Sequence, residues 1–581
     1  MVTQAEPQLS PAVDPVEFFG SATVPATLTK AAQTDKGIFL IDGSLNERRL
    51  TYRDLHETAQ RVAAGLADQG IKPGDRVCLL SGTDEALLRA LFGVWYAGAI
   101  PVMLPLPRHR TDPKDYVDDI RRRVEAVSAR MLGVTDAYVS LFAELKSADC
   151  TVAPMSSIAA GGPDAVAPFP QVPEATALLQ FTSGTTKSSR AVMLSHHNVL
   201  SNMAAVWHGY GVSREDVGMT WLPLNHDMGM IGLLGCVAYG NDVVVQSPEE
   251  FVSSPLSWLA AVSRYRVSLI GAPNFAYALA GRLLRSTTRS LDLSCLKWAV
   301  NGAEPIDVES LTAFAEAAGR YGMQSTVPAP VYGLAEATLC VTMLPPNSAL
   351  PVCWVDREVL EAQGRALTVP AESPGSRRLV ACGHPIPGTQ LVIRADDGTP
   401  LPDGHAGEIC IKGQCVTSGY WNDPESTESI LRDGWLHTGD LGYMSEEGLV
   451  VCGRLKDMLI LNGRNIYPED FETEAESVAG IRMGNTAAFQ IHSDERMVLV
   501  AEGRVAASQA QDLAERLMDH LRQRLPTAPH EVLICPASTV PKTTSGKRQR
   551  ARCREMYLAG KLQVLGRAVR GPSAAATRRS Q

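Results

Sequence analysis

The feature that most constrains the fold is a repeated alternation of amphipathic helical patterns with short apolar segments. The apolar segments are residues 76–80, 100–104, 242–246, 267–271 and 296–300. Each follows a stretch of helical periodicity, such as residues 84–95. Parallel strands need helical crossovers, and the resulting sheets carry helices on both faces. The sequence therefore predicts an α/β fold with two doubly wound subdomains.

The chain is 581 residues long, which is too long for a single hydrophobic core. From about Gly383 the pattern changes to short strands separated by turns, which predicts a small β-rich subdomain. A compact α+β region follows residues 453–457. We expect a flexible arm over residues 1–24, a large N-terminal domain over 25–455, a small mobile C-terminal domain over 456–565, and a disordered basic tail over 566–581.

The charge distribution is uneven along the chain. The formal net charge is -9, but residues 541–581 hold eleven Lys and Arg against the single acid Glu555. The acidic body makes nucleic acid an improbable partner. The basic tail is either solvated or attracts an acidic protein. The sequence shows no signal peptide, and the longest apolar run, residues 90–106, is broken by Gly and Pro, so we expect a cytoplasmic protein without a transmembrane segment.

The cysteines indicate neither a zinc site nor a disulfide framework. Twelve are scattered along the chain without a Cys-x-x-Cys pair. Cys410 and Cys415 are the nearest approach, and they lack a second ligand pair.

A polar loop follows the apolar strand predicted at residues 175–181. It reads Thr-Ser-Gly-Thr-Thr-Lys over residues 182–187, and a second apolar strand follows at 191–194. Gly184 can adopt positive φ, so N–H groups and hydroxyls can converge on a phosphate. The alternative is an ordinary Ser/Thr-rich hairpin.

A second polar loop, Pro-Lys-Thr-Thr-Ser-Gly-Lys over residues 541–547, sets Lys547 far from any other nucleotide-binding signal. It is not a Walker A loop, because the first glycine of that motif is missing. A lysine on such a loop can act as a removable catalytic charge, and the alternative is a solvated basic turn.

Together these motifs resemble those of the adenylate-forming superfamily, which includes acyl-CoA synthetases, luciferases, adenylation domains of nonribosomal peptide synthetases and fatty acyl-AMP ligases. The resemblance spans residues 25–565. Seven motifs occur in the family order: Thr-Ser-Gly-Thr-Thr at 182–186, Trp-Leu-Pro-Leu-Asn-His-Asp at 221–227, Asn-Gly-Ala-Glu-Pro at 301–305, Tyr-Gly-Leu-Ala-Glu at 332–336, Thr-Gly-Asp at 438–440, Gly-Arg-Leu-Lys-Asp at 453–457, and residues 541–547.

The resemblance implies ATP and Mg²⁺ as cofactors and assigns roles to particular residues. Lys547 and Glu336 are implied to be catalytic, with Glu336 also the Mg²⁺ ligand, and His226 is implied to gate the acyl pocket. Lys456 is the implied hinge.

The implied nucleotide-binding residues are Thr182, Ser183, Gly184, Thr185, Thr186, Lys187, Gly302, Ala303, Glu304, Tyr332, Gly333, Asp440 and Arg454. Of these, Asp440 is implied to accept hydrogen bonds from both ribose hydroxyls, as a carboxylate with several lone pairs can. A helix-capping Glu336, a turn-forming Asp440 and a structural His226 are the alternatives.

Departures from the family pattern point to the fatty acyl-AMP ligase branch, and the sequences of residues 273–277 and 301–305 resemble those of actinobacterial ligases. Lys187 stands where CoA ligases have Gly, and their later Pro and Lys are absent. A polar segment over residues 344–382, called the inserted segment below, resembles the insertion that restrains the C-terminal domain in that branch. The alternative is a long surface loop. The Phe-Asp-x-Ser pattern of amino-acid-selecting domains is absent.

The resemblance thus implies activation of a long-chain fatty acid by ATP to an acyl-adenylate with release of pyrophosphate. The acyl group then passes to the phosphopantetheine thiol of an acyl carrier protein or of a carrier domain in a polyketide or nonribosomal peptide synthase. The alternatives are a long-chain acyl-CoA ligase and a catalytically silent nucleotide-binding protein. Three aromatic residues, Trp258, Phe275 and Tyr277, either border the acyl pocket or belong to the core.

Overall fold

The computed structural model describes residues 10–107, 112–182, 190–461, 464–491, 496–525, 527–542 and 547–570. The helices are α1 Pro15–Phe19, α2 Val24–Ala31, α3 Tyr52–Asp68, α4 Glu85–Tyr96, α5 Pro113–Ala126, α6 Met155–Ala160, α7 His196–Tyr210, α8 Asp227–Tyr239, α9 Pro248–Ser253, α10 Leu256–Tyr265, α11 Asn274–Ser286, α12 Val308–Gly319, α13 Arg357–Gln363, α14 Pro424–Ile430, α15 Pro468–Glu476, α16 Ala510–Arg524 and α17 Arg550–Leu558.

The strands are β1 Gly37–Ile41, β2 Glu47–Thr51, β3 Arg76–Leu80, β4 Ile100–Met103, β5 Met131–Val134, β6 Thr151–Pro154, β7 Thr176–Phe181, β8 Ala191–Ser195, β9 Val217–Thr220, β10 Asp242–Gln246, β11 Leu269–Ala272, β12 Trp298–Asn301, β13 Pro328–Gly333, β14 Cys340–Met343, β15 Val352–Asp356, β16 Ser376–Val380, β17 His384–Pro385, β18 Thr389–Arg394, β19 Gly407–Gly413, β20 Leu431–Arg432, β21 Trp435–Ser445, β22 Gly448–Arg454, β23 Leu459–Leu461, β24 Arg464–Ile466, β25 Ile481–Ile491, β26 Arg496–Gly503, β27 Glu531–Cys535 and β28 Gly566–Val569.

Two large mixed sheets form the N-terminal domain. The first has the order β6-β5-β3-β4-β7-β8 and is parallel except for its β7–β8 edge. The second has the order β17-β14-β13-β12-β11-β9-β10-β1-β2 and is parallel from β13 to β1. The predicted pair of doubly wound α/β subdomains is confirmed. Strands β1 and β2 extend the second sheet although they precede the first in the chain.

The apolar faces of the helices hold the two sheets together. Helix α3 begins at a capping box formed by Thr51 and Asp54 and buries a stripe that includes Leu55, Ala59 and Val62. Side chains of α3, α4, α7 and α8 share one core with strands of both sheets. Helices α10 to α12 cover the other face of the nine-stranded sheet and form a second core.

The remaining sheets are smaller. Strands β18, β19, β21, β20 and β22 form the antiparallel β-rich subdomain that the sequence predicts. The C-terminal α+β unit has the sheet order β25-β26-β27-β28, and α16 packs on it through Leu513, Leu517 and Leu521.

The predicted termini need two corrections. We expected residues 1–24 to form a flexible arm, but from residue 10 onward the structure includes α1, whose Phe19 is buried and contacts Tyr239. We also expected the basic tail to begin at residue 566. Instead β28 pairs with β27, so the sheet continues to Val569, and residues 571–581 lie outside the described part. Burial of Phe19 beside Tyr239 decides the first case, and pairing of β28 with β27 decides the second.

Within the described ranges, no helix is both long enough and apolar enough to cross a bilayer.

Candidate active site

The carboxyl ends of β12 and β13 bring two of the sequence motifs together. These strands are parallel neighbours, so the residues that follow them meet at one edge of the nine-stranded sheet. Gly302, Ala303 and Glu304 follow β12, while Tyr332 and Gly333 end β13. A Cβ atom on Gly333 would lie 1.7 Å from the carbonyl oxygen of Leu339, so the backbone there can approach only because the residue is glycine.

Asp440 lies at the centre of a polar cluster beside this edge. Its Oδ2 accepts a 2.8 Å hydrogen bond from the Tyr332 hydroxyl, and its Oδ1 lies 2.7 Å from Nε of Arg454. The carboxylate is almost fully buried, and its charge raises the pKa of Arg454. Burial, then the charge of Asp440, raises the pKa of the Tyr332 phenol well above its usual value. The arrangement is a buried anion with two donors already in place.

Glu336 lies in a single 3₁₀ turn after β13. The hydroxyl of Tyr420 donates a 2.7 Å hydrogen bond to its Oε1. The guanidinium of Arg190 lies 5.4 Å from the Tyr420 ring centroid and 3.6 Å from Oδ2 of Asp423. Our sequence reasoning missed Tyr420. The available signal was an aromatic pair directly after Gly419.

Thr182 follows β7, and its N–H donates to the Arg190 carbonyl across the base of the polar loop. The other predicted phosphate-binding residues of this loop, Ser183, Gly184, Thr185, Thr186 and Lys187, lie outside the described residues. Strands β7 and β8 flank the loop, as predicted from the apolar segments on either side of it, and they pair antiparallel.

An apolar cavity begins beside the nucleotide motifs and continues into the first core. Its volume is about 100 Å³. Its lining includes Asp227, Met228, Ala303, Gly333 and Lys547, which belong to the sequence motifs or adjoin them. The rest is formed by α7, α8 and strands β9 to β13, and the lining is mostly apolar. Lys547 from the C-terminal domain therefore lies where an apolar cavity meets the nucleotide motifs.

Helix α8 forms one wall of the cavity. Met228, Gly232 and Cys236 lie four residues apart on one helical face and all line it. A Cβ atom on Gly232 would have no neighbouring atom within 4 Å, so this glycine keeps the passage wide. His226 lies at the N-cap position of α8, directly before the cavity residues Asp227 and Met228.

The three aromatic residues left open by the sequence do not line this cavity. Trp258 and Tyr277 are buried in the second core, on the other face of the sheet, and Phe275 is largely exposed. The sequence reasoning instead missed Trp207 and Tyr210 of α7, which line the interior. An aromatic residue in the sequence does not by itself show on which face of the nine-stranded sheet it packs.

The C-terminal loop faces the segment that follows β12. Glu304 accepts a 2.7 Å hydrogen bond from the Phe275 N–H. Burial raises the pKa of this carboxyl, while the nearby charges of Arg548, Lys542 and Lys547 oppose that rise. Three cations from one loop thus lie near a single acid of the N-terminal domain.

Lys456, the predicted hinge, lies in the turn between β22 and β23. The N–H of Leu455 donates to the Gly439 carbonyl, so this turn adjoins the segment that carries Asp440. Burial, then the charge of Arg454, lowers the pKa of Lys456.

The first arginines after Lys547 form internal ion pairs. Arg550 lies 2.7 Å from Glu472, 2.8 Å from Glu469 and 2.9 Å from Asp457. Arg548 also pairs with Glu472, which is fully buried. These two arginines hold the lysine-bearing loop against α15, and they are not part of a solvated basic tail.

The inserted segment includes β15, α13 and β16 and packs against α15. The carboxylate of Asp470 in α15 accepts a 2.8 Å hydrogen bond from Nη1 of Arg357 and another from Nε of Arg377. The guanidinium of Arg377 also stacks 4.2 Å from the ring centroid of Tyr467. We call Arg357, Arg377 and Asp470 the arginine clamp. It joins the inserted segment to the first helix of the C-terminal unit.

Comparison with known proteins places this site in a family. The model of the AMP-binding enzyme family matches residues 28–421. The chain belongs to the AMP-binding enzyme family. It is 32% identical over 577 residues to a long-chain-fatty-acid–AMP ligase of Mycolicibacterium smegmatis, covering 89% of this chain and 90% of that protein.

Two further relatives cover almost the whole chain. A medium-chain-fatty-acid–[acyl-carrier-protein] ligase of Moorena producens is 31% identical over 556 residues, covering 90% of this chain and 92% of the relative. A solved structure from a study of fatty acyl-adenylate ligases from E. coli and L. pneumophila superimposes with a TM-score of 0.89 at 32% identity, covering 94% and 99% of the two chains. The prediction of an ATP-dependent, adenylate-forming ligase related to fatty acyl-AMP ligases is confirmed.

Proposed function

We propose that this enzyme activates a long-chain fatty acid with ATP to an acyl-adenylate, releases pyrophosphate, and transfers the acyl group to the phosphopantetheine thiol of a carrier protein. The observation that carries the proposal is the apolar cavity whose lining includes Lys547, Ala303 and Gly333. An aliphatic chain would occupy the cavity and present its carboxylate to the nucleotide motifs. The reaction consumes ATP and needs a carrier protein, which agrees with a cytoplasmic location.

The nucleotide would lie across the ends of β12 and β13 and the adjoining segment of β21 that carries Asp440. Gly302 and Ala303 would admit the adenine, with Tyr332 and Gly333 on its other side. The buried Asp440 would accept both ribose hydroxyls, while Arg454 offers a donor. Thr182 and the loop that follows it, ending in Lys187, would bind the phosphates.

Lys547 would lie against the reacting carboxylate and the α-phosphate. Its ammonium group is placed where negative charge increases as the carboxylate attacks and pyrophosphate leaves. His226, at the start of α8, would separate the carboxylate from the thiol entry route. Lys456 would be the hinge about which the C-terminal domain withdraws Lys547 before the second half-reaction.

Glu336 would hold the Mg²⁺ ion. Hard cations prefer oxygen ligands, and Mg²⁺ is commonly held by one or two carboxylates together with substrate phosphates. The single carboxylate of Glu336, oriented by the Tyr420 hydroxyl, fits that ligand set. When bound, Mg²⁺ would neutralise charge on the departing phosphates.

The contact between the inserted segment and α15 supports a carrier protein rather than free CoA as acceptor. The arginine clamp lies in a buried interface, so movement of the C-terminal domain has to break charged hydrogen bonds there. The carrier-protein specificity in the name of the Moorena producens relative agrees with this proposal.

Mass spectrometry of the products tests the proposal. The full-length enzyme is incubated with ATP, Mg²⁺ and a mixture of fatty acids, alone, with CoA, or with a phosphopantetheinylated carrier protein. We expect acyl-AMP in all three reactions and acyl transfer only to the carrier. Efficient formation of acyl-CoA would replace the proposal with a CoA ligase. A protein that forms no acyl-AMP and catalyses no ATP–pyrophosphate exchange would be catalytically silent.

A further inference from the structure

A second group of reactive side chains lies in the β-rich subdomain, on strands β19 and β21. Glu408 and Cys410 are two residues apart on β19, so they project from the same face. Cys410 pairs across the sheet with His437 of β21. The strand register shifts between Glu408 and Cys410, because Glu408 pairs with Leu441 and the residues between form a bulge. The bulge contains Thr438, Gly439 and Asp440.

The three side chains converge on one point. Nδ1 of His437 lies 3.4 Å from Sγ of Cys410 and 2.7 Å from Oε2 of Glu408. The three potential ligand atoms all lie within 4.8 Å of one another. In a tetrahedral zinc site, metal–ligand bonds of 2.0 to 2.3 Å separate neighbouring ligand atoms by roughly 3.5 Å. A small outward movement of the Glu408 carboxylate would therefore make room for an ion.

We propose that Glu408, Cys410 and His437 bind one divalent transition-metal ion of the Zn²⁺ type, with water as the fourth ligand. The thiolate and imidazole ligands favour Zn²⁺ over Mg²⁺, which prefers oxygen. The site is therefore distinct from the Mg²⁺ ligand proposed at Glu336. It goes beyond the proposed function, because neither the fatty acid nor the carrier takes part in it.

Proton balance follows from the ligand chemistry. Burial, then the charge of Glu408, raises the pKa of the Cys410 thiol to about 12, so the metal-free thiol is protonated. Binding releases the thiol proton to solvent, and a neutral imidazole must carry its own proton on Nε2 while Nδ1 binds the ion. The two anionic ligands then balance the charge of the ion. Arg432, which lies 3.7 Å from Glu408, is half exposed and can turn toward solvent.

The position of the site links it to the nucleotide cluster. Oε1 of Glu408 accepts a 3.1 Å hydrogen bond from the Gly439 N–H within the bulge. Asp440 is the next residue and holds Tyr332 and Arg454. A metal ion bound to Oε2 and to His437 would tie both ends of the bulge that positions Asp440.

Co²⁺ titration of the full-length, metal-free protein tests the site, because a thiolate bound to Co²⁺ gives a charge-transfer absorption band. We expect one Co²⁺ per chain, displaceable by Zn²⁺ but not by excess Mg²⁺. Cys410→Ser and His437→Gln should each lose the band and weaken binding at least about 10- to 100-fold. Cys353→Ser removes a thiol that is more accessible than that of Cys410, and it should retain both the absorption band and the affinity for Co²⁺.

Thermal melting provides an independent measurement. An ion that binds only the folded state raises Tm as its concentration increases. We expect Zn²⁺ to raise the Tm of the wild type and of Cys353→Ser, but not of His437→Gln. A cooperative melting transition of His437→Gln without added metal would confirm that this variant folds. Absence of the band in the folded wild type would overturn the proposal. So would an unchanged band in both Cys410→Ser and His437→Gln.

Discussion

Lys547 illustrates how one residue can depend on two domains. Its loop belongs to the C-terminal unit, yet its side chain lines a cavity inside the N-terminal domain. Arg548 and Arg550 hold the base of that loop through buried acids. The proposed movement of the C-terminal unit would therefore place or withdraw the lysine without unfolding its loop.

Replacing Lys547 with Ala should separate the two half-reactions. Loss of a donor positioned for the transition state costs about 10²- to 10³-fold, so ATP–pyrophosphate exchange should fall by that factor. Transfer from supplied acyl-AMP to the carrier should be spared. Lys561→Ala, an exposed lysine of the same unit, is the matched control. Equal losses in both half-reactions would contradict the assignment.

Asp440→Asn should weaken nucleotide binding specifically. The substitution removes the charge that faces Arg454 and the anion that accepts the Tyr332 hydroxyl. Hydrogen bonds to charged groups contribute about 1.5 to 3 kcal/mol, which predicts a rise in the KM for ATP of roughly 10- to 100-fold. Tyr332→Phe keeps the carboxylate and should raise KM less. A larger effect of Tyr332→Phe would show that the phenol, not the carboxylate, dominates.

At the scale of elements, α8 and the inserted segment carry the features that matter most for function. Helix α8 lines the cavity through Met228, Gly232 and Cys236, which span about 12 Å at 1.5 Å per residue. Helix α13 of the inserted segment begins at Arg357, which belongs to the arginine clamp.

Gly232→Phe should shorten the acyl chain that the enzyme accepts. The new ring would enter the open space halfway along α8 and exclude the distal part of a long chain. We expect the ratio of kcat/KM for long over short fatty acids to fall by about 10-fold or more. Gly319→Phe, at the exposed end of α12, is a control without cavity contact. An unchanged ratio would mean that the chain does not pass Gly232.

Glu361 of α13 should make stability depend on pH. Burial, with the charge of Asp470 acting in the same direction, raises the pKa of this carboxyl from 4.5 to about 7. An acid whose pKa is higher in the folded than in the unfolded state contributes stability that is fully present below the unfolded pKa. That contribution is lost as pH rises through the folded pKa of about 7. The shift corresponds to at most about 3 kcal/mol.

Glu361→Gln should therefore be more stable than the wild type above pH 7 and should lose most of the slope between about pH 4.5 and 7. Chemical denaturation across that range measures the difference. The control is Glu358→Gln, an exposed acid on the same helix. A wild-type slope retained in Glu361→Gln would assign the pH dependence to other groups.

At the scale of the whole molecule, the arginine clamp is a buried charged contact between the inserted segment and the C-terminal unit. Arg357 and Arg377 both reach Asp470, and all three side chains are about nine-tenths buried or more. Removing one partner of a buried ion pair costs about 3 to 5 kcal/mol, because the remaining charge is left uncompensated.

Asp470→Asn should release the C-terminal unit from the inserted segment. We expect a fall in unfolding free energy of about 3 to 5 kcal/mol and faster proteolysis near the predicted hinge at Lys456. Asp512→Asn, which alters a surface ion pair of the same unit, should change neither measurement appreciably. Unaltered cleavage in a destabilised Asp470→Asn protein would show that the clamp stabilises the fold without restraining the domain.

Much of this architecture could be predicted from local sequence. Alternating helical and apolar patterns are short-range signals, and they identified the doubly wound sheets and strands such as β3 and β10. The pairing of β1 with β10, some 200 residues later in the chain, was not predictable, because strand partners are selected by burial across the whole core. For the same reason Trp258 could not be assigned to the second core before the sheet was known.

The sequence by itself determined the family and predicted which residues would carry its chemistry, because each motif is a local arrangement of donors, acceptors and glycines. Only the tertiary structure decided which of those residues meet. It placed Lys547 in the lining of an apolar cavity, joined Arg377 to Asp470, and brought Cys410 and Glu408 to His437. These contacts join segments that are distant in the chain, and their formation depends on sheet register and burial rather than on local pattern.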